Sequence, residues 1–182
     1  MTFSVSVKLR SALLFTALLF PLSGFAQGHD ISETTRSRIG EVHAKWTVMC
    51  LPRDGARVCA VRQLQSDRQT KKSVLLIELR PTSQGSAKGG IMLPKDLQPG
   101  AVVHFALDGN AAGHPLEIKE CSDRGCAVTV TFSGAAFEKL RSGKVLQLRA
   151  IRIDGTPQMF EVDLNGFAAA VERGIELEGI RD

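Results

Sequence analysis

Four cysteines, four histidines and a few spaced carboxylates are the residues of this 182-residue chain best suited to cross-linking, metal binding or proton transfer. The cysteines fall in two pairs. Eight residues separate Cys50 from Cys59, and four separate Cys121 from Cys126. Those spacings fit a zinc ribbon or finger poorly, no histidine sits beside either pair, and there is no C-x-x-C. An even count points to disulfides if the chain is exported, and four cysteines allow three connectivities. The histidines are His29, His43, His104 and His114. His104 is the one placed mid-strand on a sheet face. Asp108 follows at i+4 on the same face, about 13 Å away at strand rise, too far for a direct hydrogen bond. Glu161 and Asp163 alternate on the outer face of the last hairpin. Two such carboxylates could act as an acid/base pair. The plainer reading is a solvated face paired with Arg149 or Lys144. The chain has no H-E-x-x-H, G-x-S-x-G, Ser-x-x-Lys or Walker A motif. No catalytic, cofactor-binding or metal-binding residue is therefore assigned. The alternatives are an enzyme using His104, Asp108, Glu161 and Asp163, or a thiol-redox protein using Cys121 and Cys126.

The elements that position these groups start with a hairpin. Asp54-Gly55 is a two-residue turn signal, because a type I′ turn needs positive φ at both central residues. With Arg53 opposite Ala56, Pro52 faces Arg57, Leu51 faces Val58 and Cys50 faces Cys59. Alternation outward from the turn makes Pro52–Arg57 and Cys50–Cys59 non-hydrogen-bonded pairs. That suits a proline without an N–H and brings the cysteines within disulfide range. The register places Trp46, Val48, Cys50, Cys59 and Val61 on one face. Pairing Cys50 with Cys59 leaves Cys121 for Cys126, the more exposed and more reducible staple.

The chain opens with Lys8 and Arg10, then the ten-residue apolar run from Ser11 to Phe20, then Gly24-Phe25-Ala26 as a small-x-small site. This is a signal peptide over residues 1–26, cleaved after Ala26, with an apolar run too short to span a bilayer. Removing Lys8 and Arg10 from the 23 basic residues leaves 21 against 19 acidic ones, a net charge of +2 instead of +4. Nucleic-acid binding loses its compositional support. No later segment is long and apolar enough to span a membrane. The expected location is the periplasm, the outer envelope or outside the cell. Residues 27–40 read as a flexible polar leader, and 41–182 as a single β domain.

Further along, Val74 to Leu79 reads as a central strand ended by Pro81, and Thr82 to Gly90 as a mobile Ser/Gly loop. Ile91 to Leu93 is a short strand, and Pro99-Gly100 suits the centre of a type II turn. Val103, Phe105 and Leu107 share a face, as do Leu116 with Ile118, and Cys126 with Val128, Val130 and Phe132. Phe137 and Leu140 mark a short helix within Gly134–Arg141, stopped by Gly143. In the last hairpin a two-residue loop at Asp154-Gly155 would set Leu146 against Asp163, mixing core and solvent faces. A three-residue loop or a bulge, with Gly155 at positive φ, restores parity. Asn165 caps a helix from Gly166 to about Arg173, followed by a loose charged tail. About nine short strands and two short helices make an antiparallel β-sandwich or barrel.

Taken in order, Trp46-x-x-x-Cys50, Cys59, Leu93-Pro94 with Gly100, Cys121-Ser122-Asp123-Arg124-Gly125-Cys126-Ala127, Gly143 and Leu164-Asn165-Gly166-Phe167-Ala168-Ala169-Ala170 resemble the invasion-associated locus B family, over about Glu41 to Arg173. The resemblance implies an exported protein of Gram-negative bacteria with an envelope or host-surface protein as partner. It supplies no catalytic residue set. The shared residues are cysteines, glycines and core aromatics, which are scaffold residues by their physical character too.

Overall fold

A computed structural model describes residues 39–179. The expected signal peptide and nearly all of the leader lie outside the described residues. Twelve strands and two helices follow in the order β1 (Ile39–His43), β2 (Trp46–Arg53), β3 (Ala56–Ser66), β4 (Ser73–Thr82), β5 (Ser86–Leu93), β6 (Val102–Leu107), β7 (Asn110–Ala111), β8 (Leu116–Glu117), β9 (Glu120–Ser122), β10 (Gly125–Ser133), α1 (Ala135–Ser142), β11 (Val145–Ile151), β12 (Pro157–Asp163) and α2 (Phe167–Gly179). They form two open antiparallel sheets, so the architecture is a sandwich and not a barrel. One is seven-stranded, β1-β2-β3-β4-β5-β10-β9; the other runs β12-β11-β6-β7, with β8 also paired to β6.

The first hairpin has the register its turn dictates. Arg53 pairs with Ala56, Pro52 with Arg57, and Cys50 with Cys59. Asp54 and Gly55 both have positive φ, 52° and 75°, as a type I′ turn requires. Trp46, Val48, Cys50, Cys59 and Val61 are all fully buried on one face. The last hairpin keeps face parity as well. Leu146 pairs with Val162 and Leu148 with Phe160. The Arg152 N–H bonds the Thr156 carbonyl, leaving Ile153-Asp154-Gly155 as a three-residue loop with Gly155 at φ 83°. Ala101 N–H reaches the Gln98 carbonyl at 3.1 Å, closing the expected turn over Pro99-Gly100.

Five expectations need correction. Twelve strands replace about nine, because β1, β7 and β9 span only five, two and three residues, too few to show alternation. The leader does not reach Gly40, since β1 begins at Ile39 and pairs it with Cys50. Pro81 does not end β4, which continues to Thr82. The β3–β4 pairing stops at Val61–Leu79, so Pro81 lies where the strand has one neighbour and needs no second ladder donor. Ser86 to Gly90 is strand, not loop. A Cβ on Gly89 would meet the Glu78 carbonyl oxygen at 1.9 Å, so this glycine marks close strand contact and not a break. Finally, the charged tail is helical. α2 runs to Gly179 because Gly174 and Leu177 continue its buried stripe past Arg173. It starts at Phe167, after Gly166, whose φ of 87° and closeness to the His43 carbonyl exclude a side chain.

α2 packs on the inner face of β2 and β3, and α1 packs on β10 and touches α2. Residues from both sheets and both helices join one hydrophobic core.

Candidate functional site

Both cysteine pairs are disulfides between directly opposed strand residues, with Cα atoms 4.0 Å apart in each. No cysteine is free. Cys50 and Cys59 are completely buried, whereas Cys121 is half-buried beside a buried Cys126. The Cys59 N–H lies past the last β3–β4 pair and donates instead to the Glu178 carboxylate of α2, at 2.7 Å.

The residues with acid/base potential do not meet. His104 is exposed on the outer face of β6, opposite Arg149 of β11, and both border a shallow hollow of about 410 Å³. Glu161 lies on β12, two strands across and two residues along from His104, or about 12 Å at strand spacing and rise. It accepts a bond from Gln147 at 3.4 Å. The Asp108 carboxylate accepts the backbone N–H groups of Lys144 and Val145, at 3.0 and 2.9 Å, and so holds the start of β11. Asp163 accepts the Asn165 N–H at 2.9 Å, shaping the turn into α2. Among the described residues no three His, Cys, Asp or Glu side chains are grouped to hold a metal.

Sequence reasoning missed a polar seam between the sheets. β12 is an edge strand, and its outward carbonyls need donors. The Asp163 carbonyl accepts Trp46 Nε1 at 2.9 Å and Gln63 Nε2 at 2.7 Å. The Glu161 carbonyl accepts Gln65 Nε2 at 2.6 Å. The readable signal was Gln63, a polar residue continuing the inward series Cys59, Val61. A second missed contact is ionic. Arg173 of α2 grips Glu41 of β1 through two bonds, 2.8 and 3.0 Å. The Arg173 hydrogen bond is the main cause holding the Glu41 carboxyl below its ordinary range, and Glu41 and Glu176 push the Arg173 guanidinium up.

A concavity larger than the hollow beside His104 opens at the β6–β10 end of the sandwich. Inward side chains of β6 lose burial along the strand: Val103 is fully buried, while Phe105 and Leu107 are only half-buried. β10 repeats this, with Val128 and Val130 buried and Phe132 half-buried. Between them, flanked by β8 and α1, lies a cleft of about 790 Å³. Its size and lining suit a small ligand.

Comparison with known proteins agrees with this architecture. Residues 46–174 match the model of the invasion associated locus B (IalB) protein family. An invasion protein B homologue of Brucella abortus (strain 2308) is 31% identical over 163 residues, covering 89% of this chain and 91% of that protein. Invasion protein B of Bartonella bacilliformis is 23% identical over 145 residues, covering 78% and 77%. The crystal structure of invasion associated protein B from Bartonella henselae superposes with a TM-score of 0.70 at 25% identity, over 76% of this chain and 96% of that one. The family match spans both disulfide hairpins and most of α2, the parts that carry the fold, and by it this chain belongs to the invasion-associated locus B family.

Proposed function

We propose that this protein is an exported, non-enzymatic component of the bacterial envelope that works by binding a protein partner, in support of host-cell invasion or surface interaction. Export is supported by the cysteines, since all four are paired and such disulfides persist in oxidising compartments. No helix of the described residues is long and apolar enough to cross a membrane. The invasion role is supported by the names of the relatives.

The observation that carries binding is the outward face of the seven-stranded sheet. None of its outward side chains is buried, and Leu64, Leu76 and Met92 form one apolar row across β3, β4 and β5. Leu51 and Leu64 stand 49% and 55% exposed there. By contrast, the Asp108 and Asp163 carboxylates hold the backbone. Complementation of a deletion strain, scored by host-cell entry, tests this. The double change Leu51→Glu with Leu64→Glu should abolish complementation while the protein stays folded and exported. His104→Ala with Glu161→Gln should leave it intact. The reverse pattern would point to an enzyme. Recovery of the protein in the cytoplasm with free thiols would remove the export reading.

A thiol-redox role is favoured by one observation, the half-exposure of Cys121 against complete burial of the other pair. Equal resistance of both disulfides to mild reductant would discard it.

A further inference from the structure

The cleft between β6 and β10 is sorted by polarity. Every buried or half-buried residue of its lining is apolar, with Phe105, Leu107, Leu116, Val130, Phe132 and Leu140 forming most of the interior. Every polar residue of the lining is exposed, so Asp108, Asn110, His114, Thr131, Lys139 and Ser142 make a rim. No polar side chain of the lining sits deep enough to read a sugar or a peptide backbone from inside. The apolar walls belong to the core and remain partly wetted, at a cost of about 25 cal/mol per Å² that a covering apolar chain would recover.

The rim charge selects the head group. The Asp108 carboxylate is already satisfied by two backbone N–H groups. The Lys139 ammonium, on α1, makes no hydrogen bond or ion pair with the described residues. Asp108 keeps its negative charge but is turned to the β11 backbone, so Lys139 is the charged group of the rim with no partner among the described residues and is available to an anionic head.

We propose that this cleft binds a single-chain anionic amphiphile, with the apolar tail between β6 and β10 and the anionic head against Lys139. The volume of about 790 Å³ lies within the range of sites that enclose one small molecule. The inference stands apart from partner binding by the outer sheet face, which lies elsewhere on the molecule.

The test is calorimetric titration of the purified protein, below micelle concentrations, with dodecanoate, a lysophosphatidic acid and uncharged dodecanol. Dodecanoate and the lysophosphatidic acid both carry anionic heads, a carboxylate and a phosphate monoester, from different sources, a free fatty acid and a lipid fragment. Whichever binds tighter identifies the source. Lys139→Glu, an exposed change, should weaken both anionic probes by about five- to tenfold and leave dodecanol unchanged. Ala136→Trp, on the exposed lining of α1, should fill the mouth and weaken all three. Thermal unfolding of each variant confirms that the fold is intact. The proposal is overturned if the unaltered protein binds neither anionic probe. It is also overturned if Lys139→Glu affects dodecanol and dodecanoate alike, or if Ala136→Trp changes nothing. Sedimentation showing a dimer that the probes cannot dissociate, with the cleft shielded between copies, would assign the cleft to a second chain instead.

Discussion

The two ends of the sandwich are built from similar side chains and finish differently. At the β2–β3 end, α2 lies on the sheet. Trp46 and Phe167 pack at a tilt of 52° with ring centroids 4.6 Å apart, and Phe137 meets Phe167 edge-on at 6.3 Å. The helix lies against the sheet at Gly174, where a Cβ would make ordinary contact, 3.6 to 3.8 Å, with Pro81, Val61 and Val48. Arg173 fastens the helix to β1, and Trp46, Gln63 and Gln65 fasten the sheet to β12. At the β6–β10 end α1 flanks the opening, and among the described residues no helix lies across it. Phe105, Leu107 and Phe132 point inward with the correct alternation yet stay half exposed. Alternation decides which face is apolar. How far that face is buried depends on what arrives to cover it.

The largest effect that could break this contrast is a paired truncation. Trp46→Ala should cost about 3–5 kcal/mol, since it removes a fully buried ring and one donor to the Asp163 carbonyl. Phe132→Ala, at the cleft, should cost about 1–2 kcal/mol, because its site is already partly wet. Urea unfolding measures both, and equal losses would erase the distinction between ends.

The disulfides sharpen it next. Replacing Cys50 and Cys59 together by alanine should cost about 3 kcal/mol, and the Cys121 and Cys126 pair about 2 kcal/mol, from the lengths of the loops they close. Burial adds a kinetic difference. Mass spectrometry after mild reduction and thiol labelling should find Cys121 and Cys126 modified first.

A smaller effect belongs to the polar seam. Gln63→Ala should cost about 1 kcal/mol in thermal or urea unfolding, because Trp46 still serves the Asp163 carbonyl. A cost near that of Trp46→Ala would make the seam, and not aromatic packing, the main fastening of the closed end.

The smallest concerns pH. The Glu41 pKa is lowered in the folded state, so its contribution is complete above the ordinary carboxylate value of 4.5 and is lost as pH falls through the lower folded value. Arg173→Ala should therefore reduce stability at neutral pH and converge with the unaltered protein in strong acid. Parallel acid-unfolding curves would show that this pair does not secure β1 to α2.

Much of the fold was legible from single residues. Asp54-Gly55 set a register that carried Cys50 to Cys59, and face parity alone required three residues in the Asp154-Gly155 loop. Reading failed where one residue type serves two purposes. Pro81 and Gly89 look like breakers, but the structure uses the proline where a neighbouring strand is absent and the glycine where one is close. The candidate site was harder to read. His104, Asp108, Glu161 and Asp163 were visible as chemical groups, yet their separation and their bonds to backbone were not. The cleft could not be read at all, since Phe105, Leu107, Phe132 and Leu140 each look like ordinary core.

The sequence by itself determined the period-2 faces, the type I′ turn and its directly opposed cysteines, and the family to which these belong. All of these rest on neighbours close along the chain, where φ/ψ preferences and side-chain alternation act locally. Only the tertiary structure decided that the charged tail would continue as α2 over Cys59, that Asp163 would offer its carbonyl to Trp46 and Gln63, and that β6 and β10 would part at one end. Those features join residues 100 to 119 positions apart. Packing between distant surfaces fixes them, and no local pattern encodes which apolar face will be covered and which left open.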